Sequence, residues 1–153
     1  MSGQMTHDQI NGFLGTSVIA RLATVKPDGS PYVVPVWQQW DGKFLYIVGR
    51  AGSKFVDHIR SDPRVAISCA DDVNPEHVRV LIEGRAKIIE GPAPMSGKTL
   101  QIADEMALRY MGPKGPIYVQ KTVNRPRCLI QVVPESVVSW AEGNWHPRYT
   151  HTN

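Results

Sequence analysis

The chain has 153 residues, 42% of them hydrophobic and 20% charged, a globular balance that excludes a disordered or fibrous protein and leaves room for one core rather than two. Its net charge of +3 comes from 17 Lys and Arg scattered along the chain rather than gathered in one run, which suits an anionic small ligand better than nucleic acid. No apolar run approaches the length of a membrane span and no charged-then-apolar leader opens the chain, so a cytoplasmic protein that engages neither membrane nor nucleic acid is expected.

Thr6-His7-Asp8-Gln9 has the spacing of a capping box, so a short helix runs from there toward Phe13 and ends at Gly15. Ser17 to Val25 reads as a strand, followed by a turn at Lys26-Pro27-Asp28-Gly29, where proline presets φ and glycine accepts a positive one. Tyr32 to Trp40 reads as the next strand, and Asp41-Gly42 as a two-residue hairpin loop leading to a strand over Phe44 to Val48. These three strands are expected to be antiparallel neighbours.

Phe55, Val56 and Ile59 then fall at helical spacing, and Asp62-Pro63 stops that helix. Val65 to Ala70 and Val78 to Ile89 are two further strands, with Gly84 a bulge or bend where the sheet curves. Ser96 to Met111 carries Leu100, Ala103, Ala107 and Leu108 on one helical face and closes at Gly112-Pro113, and Pro126 to Val138 supplies the last strand. Cys69 and Cys128 lie inside these apolar strands with no metal-ligand spacing to a histidine, so reduced core cysteines and no metal are expected. Hairpin-linked strands with few helices fit a mainly β, α+β fold, a small antiparallel barrel formed by residues 1–153 as a single domain. Side chains fill a barrel this small, so a large ligand must bind on its outside or between two copies.

The stretch from Leu45 to Lys54 delivers a strand into a helix start bearing Arg50, Ser53 and Lys54. Such a place suits phosphate: the helix dipole and backbone N–H groups attract the anion, Ser53 can donate, and the two cations supply charge. Taken alone, two solvated surface cations explain the same residues.

Three blocks give these residues a context. Asp28 to Trp37, the segment Gly52 to Arg64 ending in Ser61-Asp62-Pro63-Arg64-Val65, and Val80 to Ala86 together resemble, in kind and order, the pyridoxamine 5′-phosphate oxidase-like superfamily of flavin-binding split barrels. The resemblance covers most of residues 17 to 90. It implies a split barrel that forms a homodimer, with a flavin-type cofactor in each of two interface clefts. Position by position, Ser53 and Lys54 match the family's phosphate pair, with Arg50 beside them, and Tyr46, Ile47 and Val48 match the strand along the ring and ribityl chain. Val34, Pro35, Val36 and Trp37 match the strand whose backbone lines the ring, and Arg79 falls where related oxidases place a glutamine near the cofactor. Trp40 reads as an ordinary core or interface aromatic.

The chain ends in a tail over residues 140–153 that is unusually aromatic and basic. His146 and Arg148 resemble the second half of the Arg-x-His-x-Arg arrangement with which pyridoxamine phosphate oxidases hold substrate, while Asn144 stands in place of its first arginine. That departure, with the absent N-terminal substrate arm, argues against pyridoxal phosphate synthesis. Trp145, His146 and Arg148 either reach the cofactor or substrate, or belong to a packed tail that seals the interface.

No other acid/base, nucleophile or metal constellation stands out. The resemblance therefore implies an oxidoreductase that passes a hydride between a flavin-type cofactor and a small organic substrate, the cofactor carrying the hard chemistry. FMN stands slightly ahead as the more widespread ligand of the fold, with the deazaflavin coenzyme F-420 as alternative, toward which Pro35-Val36-Trp37 followed by Asp41-Gly42 points. A non-catalytic protein that stores or shields a flavin or haem is the rival reading.

Overall fold

A computed structural model describes residues 4–74 and 76–141. The chain runs α1 (His7–Leu14), β1 (Ala20–Val25), β2 (Pro31–Val36), β3 (Gln39–Trp40), β4 (Leu45–Arg50), α2 (Lys54–Ser61), β5 (Arg64–Ala70), β6 (Arg79–Ala93), α3 (Gly97–Met111), α4 (Lys114–Lys121) and β7 (Arg127–Trp140). The strands form one antiparallel sheet in the order β2-β1-β5-β6-β7-β4-β3.

That order forces the sheet to close. Strands β2 and β3 stand at opposite ends of it, about 29 Å apart if the sheet were flat. Only Trp37 and Gln38 separate them in the chain, and three Cα steps reach no more than about 11 Å. The sheet must therefore curl until its two ends approach, with β6 bending at the register shift between Glu83 and Gly84. A Cβ on Gly84 would sit 3.0 Å from the Pro134 Cα, so the bend needs a residue without a side chain.

Here the expected single strand from Tyr32 to Trp40 divides in two, and β2 and β4 are not neighbours. The cause lies in Gln38, whose side chain is fully buried and donates to the Leu14 carbonyl at 2.7 Å. Its backbone finds partners outside the ladder: the N–H reaches the Tyr110 hydroxyl at 3.3 Å and the carbonyl accepts from Arg109. The hairpin after β3 also spans more than Asp41-Gly42, because the ladder ends at the Trp40–Leu45 pair and Asp41 Oδ1 accepts from the Lys43 and Phe44 amides at 2.8 and 2.6 Å.

Local signals elsewhere hold. Thr6 and Gln9 make the capping box, Gly29 and Gly112 take positive φ, and Asp62 caps α2. Both cysteines are buried and free, and Trp40 packs on the core while donating to Asn11 at 2.7 Å. Helix α4 carries no comparable signal, since Gly115 and Pro116 read as breakers. Pro116 is tolerated because it falls in the first turn, where its missing N–H has no helical acceptor. Gly115 lets α4 fold back on α3, for a Cβ there would overlap the Ala107 carbonyl and lie 2.8 Å from the Leu108 nitrogen.

The barrel interior is sealed by Leu22, Leu45, Ile47, Ile67, Ile82, Ile130 and Val132. A second apolar layer lies outside it, where Tyr46 and Leu129 pack against Ile102 and Met106 of α3. Strand β4 is thus buried on both faces, alternate residues facing the barrel and the helices. No described helix is long and apolar enough to cross a membrane.

Candidate functional site

A cavity of about 710 Å³ opens on the outside of the barrel. Its walls are Val34, Pro35 and Val36 of β2, Trp37 of the crossover, Val48 and Arg50 of β4, Ser53 at the start of α2, Arg127 of β7, and residues of the two helices α3 and α4. Closure of the sheet is what brings β2 against β4, although they lie far apart in the ladder. Seven residues expected at a cofactor, Val34, Pro35, Val36, Trp37, Val48, Arg50 and Ser53, meet in this one space.

Four others sit elsewhere. Tyr46 is 4% exposed beneath α3, where its hydroxyl accepts from Lys98 and Gln131, each at 3.2 Å. Ile47 faces the barrel core. Lys54 is exposed on the first residue of α2, and Arg79 opens β6 opposite Ala70 and Trp140, neither among the residues lining the cavity. Trp145, His146 and Arg148 lie outside the described residues.

The cavity lining is of two kinds. Its apolar part is β2 with Met95, Met106 and Met111, the kind of surface against which a planar heteroaromatic ring gains from burial. Trp37 is held rigidly there by stacking on Tyr110, with ring centroids 5.2 Å apart and planes within 6°. Arg109 lies 4.9 Å from the other aromatic of that pair, so the wall is fixed from α3.

The polar part is cationic, with Arg50 and Arg127. Arg50 donates to the Tyr118 hydroxyl at 3.3 Å. That hydrogen bond, joined by the positive charge of Arg50 and Arg127, pulls the Tyr118 phenol below its ordinary pKa against the opposing effect of burial. Ser53 caps α2 by position, yet its side chain makes no capping hydrogen bond, which leaves the hydroxyl available to a ligand. Arg127 stands directly across the ladder from Arg50 and is buried, donating to the Arg125 carbonyl at 3.2 Å.

Sequence reasoning missed Arg127 and Tyr118. A charged residue opening an otherwise apolar strand, with Leu129 and Gln131 on the same face, is the signal that could have drawn attention to Arg127. Tyr118 has none, because α4 itself is not legible. Among the described residues no cluster of His, Cys, Asp and Glu could hold a metal.

A curled antiparallel seven-stranded sheet with four helices is consistent with a mainly β split barrel. Residues 6–141 match the family described as pyridoxamine 5′-phosphate oxidase, and the chain belongs to that family. An uncharacterized protein, RA0666 of Rhizobium meliloti (strain 1021), is 32% identical over 82 residues, and the chain spans about half the length of this curated relative, 53%. The conserved hypothetical protein Rv2991 from Mycobacterium tuberculosis superposes with a TM-score of 0.75 at 28% identity, over 93% of this chain and 88% of that one. An F420 reductase is also 28% identical, with a TM-score of 0.64 over 83% of this chain and 94% of its own.

Proposed function

We propose that this protein is an oxidoreductase that uses a flavin-type cofactor, the deazaflavin coenzyme F-420 in preference to FMN, to exchange a hydride with a small organic substrate. The observation that carries the reading is a cleft whose lining combines Trp37 and three methionines with Arg50, Arg127 and Ser53. Its shape and donors suit a ligand with a planar ring and an anionic chain. The choice of the deazaflavin, which reverses the order of preference drawn from sequence alone, is supported by the 28% identity to a solved F420 reductase and by a second arginine in the lining.

When bound, such a cofactor supplies the hydride chemistry. The chain's part is to hold the ring against Val34–Trp37, to anchor the phosphoryl group at Arg50 and Ser53, and to keep water from the apolar lining. A homodimer belongs to the same proposal: Val33, Val137 and Val138 are exposed on strands β2 and β7, apolar surface that a second copy would cover. A sedimentation experiment giving a monomer at all concentrations would remove it.

The functional test is an absorbance titration of the purified protein with oxidised F-420 and, separately, with FMN. The expected result is saturable binding of F-420, one per chain, and weaker binding of FMN. Tight FMN binding with no F-420 binding would reverse the cofactor assignment. Binding of neither would overturn the redox reading, and tight binding without turnover of the reduced cofactor would indicate a storage or shielding protein.

A further inference from the structure

The polar lining of the cleft includes more than Arg50 and Ser53, for Arg127 and Tyr118 belong to it as well. Arg127 is only 6% exposed. Its guanidinium has five N–H donors, and its partners are the Arg125 carbonyl at 3.2 Å and the Tyr118 phenol, neither of them an anion at neutral pH. No ion pair among the described residues includes Arg127 or Arg50. The two arginines nonetheless face each other as direct cross-strand partners, an arrangement in which like charges repel. Arg50 is exposed but Arg127 is buried, and a buried cation without a counter-ion is costly, so Arg127 set against a second arginine makes physical sense around an anion.

The hydroxyls complete the arrangement. Tyr118 accepts from Arg50 through its oxygen, which leaves its own hydrogen free to donate, and the Ser53 hydroxyl is uncommitted to its helix. Four groups, from β4, the cap of α2, α4 and β7, therefore line one cavity.

We propose that Arg127 and Tyr118 are ligand-contacting residues that complete, with Arg50 and Ser53, a four-donor cradle for a phosphoryl group. Two guanidinium groups lacking a counter-ion match a ligand end that bears two negative charges. A phosphomonoester dianion meets that requirement, and so does a phosphodiester followed by a carboxylate. Helix α4 then acts as a specificity element, carried over the site by the close approach of Gly115 to Ala107. The inference rests on the flavin-type reading only for the identity of the ring.

The test compares each ring with and without its phosphoryl chain: FMN against riboflavin, and F-420 against its phosphate-free deazaflavin chromophore. Titrations are run on the wild-type protein, Arg127→Gln and Tyr118→Phe, with Arg127→Lys as a second variant should the first fail to fold. The affinity ratio of phosphorylated to phosphate-free ligand is expected to fall about tenfold or more in Arg127→Gln and about threefold in Tyr118→Phe, the phosphate-free ring binding all variants alike. Arg127→Lys keeps the charge but not the fork, and should lose part of the ratio. The larger ratio of the two ligand pairs identifies which phosphoryl chemistry the cradle takes.

Melting curves with inorganic phosphate and pyrophosphate at constant ionic strength separate this proposal from the cofactor reading. If no ring binds, anion stabilisation present in the wild type and lost in Arg127→Gln supports the cradle while the flavin-type reading falls. An unchanged affinity ratio in both variants, or equal anion stabilisation of wild type and Arg127→Gln, would overturn the cradle.

Discussion

The two faces of β4 and β7 make opposite uses of the same strands. Leu45, Ile47, Cys128, Ile130 and Val132 point into a barrel that is filled by its own side chains. One residue along, Val48, Arg50 and Arg127 face an open cavity under α3 and α4. The alternation of a strand is therefore enough to place a sealed core and a binding site back to back. Rigidity comes to the site at little cost, since the residues that would hold a ligand stand on strands whose reverse side is already packed.

Substitutions can break that pairing selectively. Ile47→Ala removes buried apolar volume from the sealed face and is expected to cost about 2–5 kcal/mol of unfolding free energy, read by chemical denaturation. The protein that remains folded should bind ring ligands as before. Val48→Ala on the opposite face should show the reverse balance, with a smaller loss of stability and a measurable loss of ring affinity.

Gly115→Ala tests whether the helices, rather than the sheet, close the cavity. A Cβ at that position must push α4 away from Ala107, with an expected cost of about 1–3 kcal/mol and weaker ligand binding. Wild-type stability and affinity together would show that α4 does not form the wall.

A smaller effect concerns pH. The charged groups facing the Tyr118 phenol are Arg50 from β4 and Arg127 from β7, and they favour its ionised form. A bound anion neutralises those cations and raises the phenol pKa again, so binding takes up a proton in the pH range where the free protein has lost it. Affinity for phosphorylated ligands should consequently fall as pH rises through the lowered phenol pKa, and Tyr118→Phe should flatten that dependence. Ultraviolet difference spectra of the phenolate, recorded with and without ligand, follow the same event directly.

Lys54→Ala marks the small end of the scale. Its side chain is exposed and lies outside the cavity lining, so stability should change by no more than about 0.5 kcal/mol. Phosphoryl affinity should change far less than on loss of Arg127. A loss equal to that of Arg127→Gln would return the anion site to the helix start that the sequence suggested.

Much of the molecule was legible from the chain alone wherever the deciding interactions are local. The capping box at Thr6 and Gln9, the turn before Ser30, the stop at Asp62-Pro63 and the cap at Gly112 each depend on a few adjacent residues, and each forms where the sequence places it. The strand segments are legible for the same reason, and the resemblance of residues 28–37 to a cofactor-lining strand pointed to residues that do meet in one cavity. Lys54 and Tyr46 were drawn by that resemblance as well, yet their exposure and burial depend on neighbours that no short window contains.

Tertiary structure alone decided the rest. The break at Gln38 arises because α1 and α3, distant in sequence, supply its hydrogen-bond partners. Helix α4 forms because Ala107 accepts a close neighbour without a side chain. Arg50 and Arg127 become a pair only when strands 77 residues apart come into register. Apart from α4 and the break at Gln38, the sequence by itself determined which segments would be helix, strand or turn, because those preferences reside in backbone and near-neighbour terms. The order of the strands, and with it the cationic part of the cleft, followed from closing one sheet upon itself, a balance of contacts that exists only when the whole chain is folded.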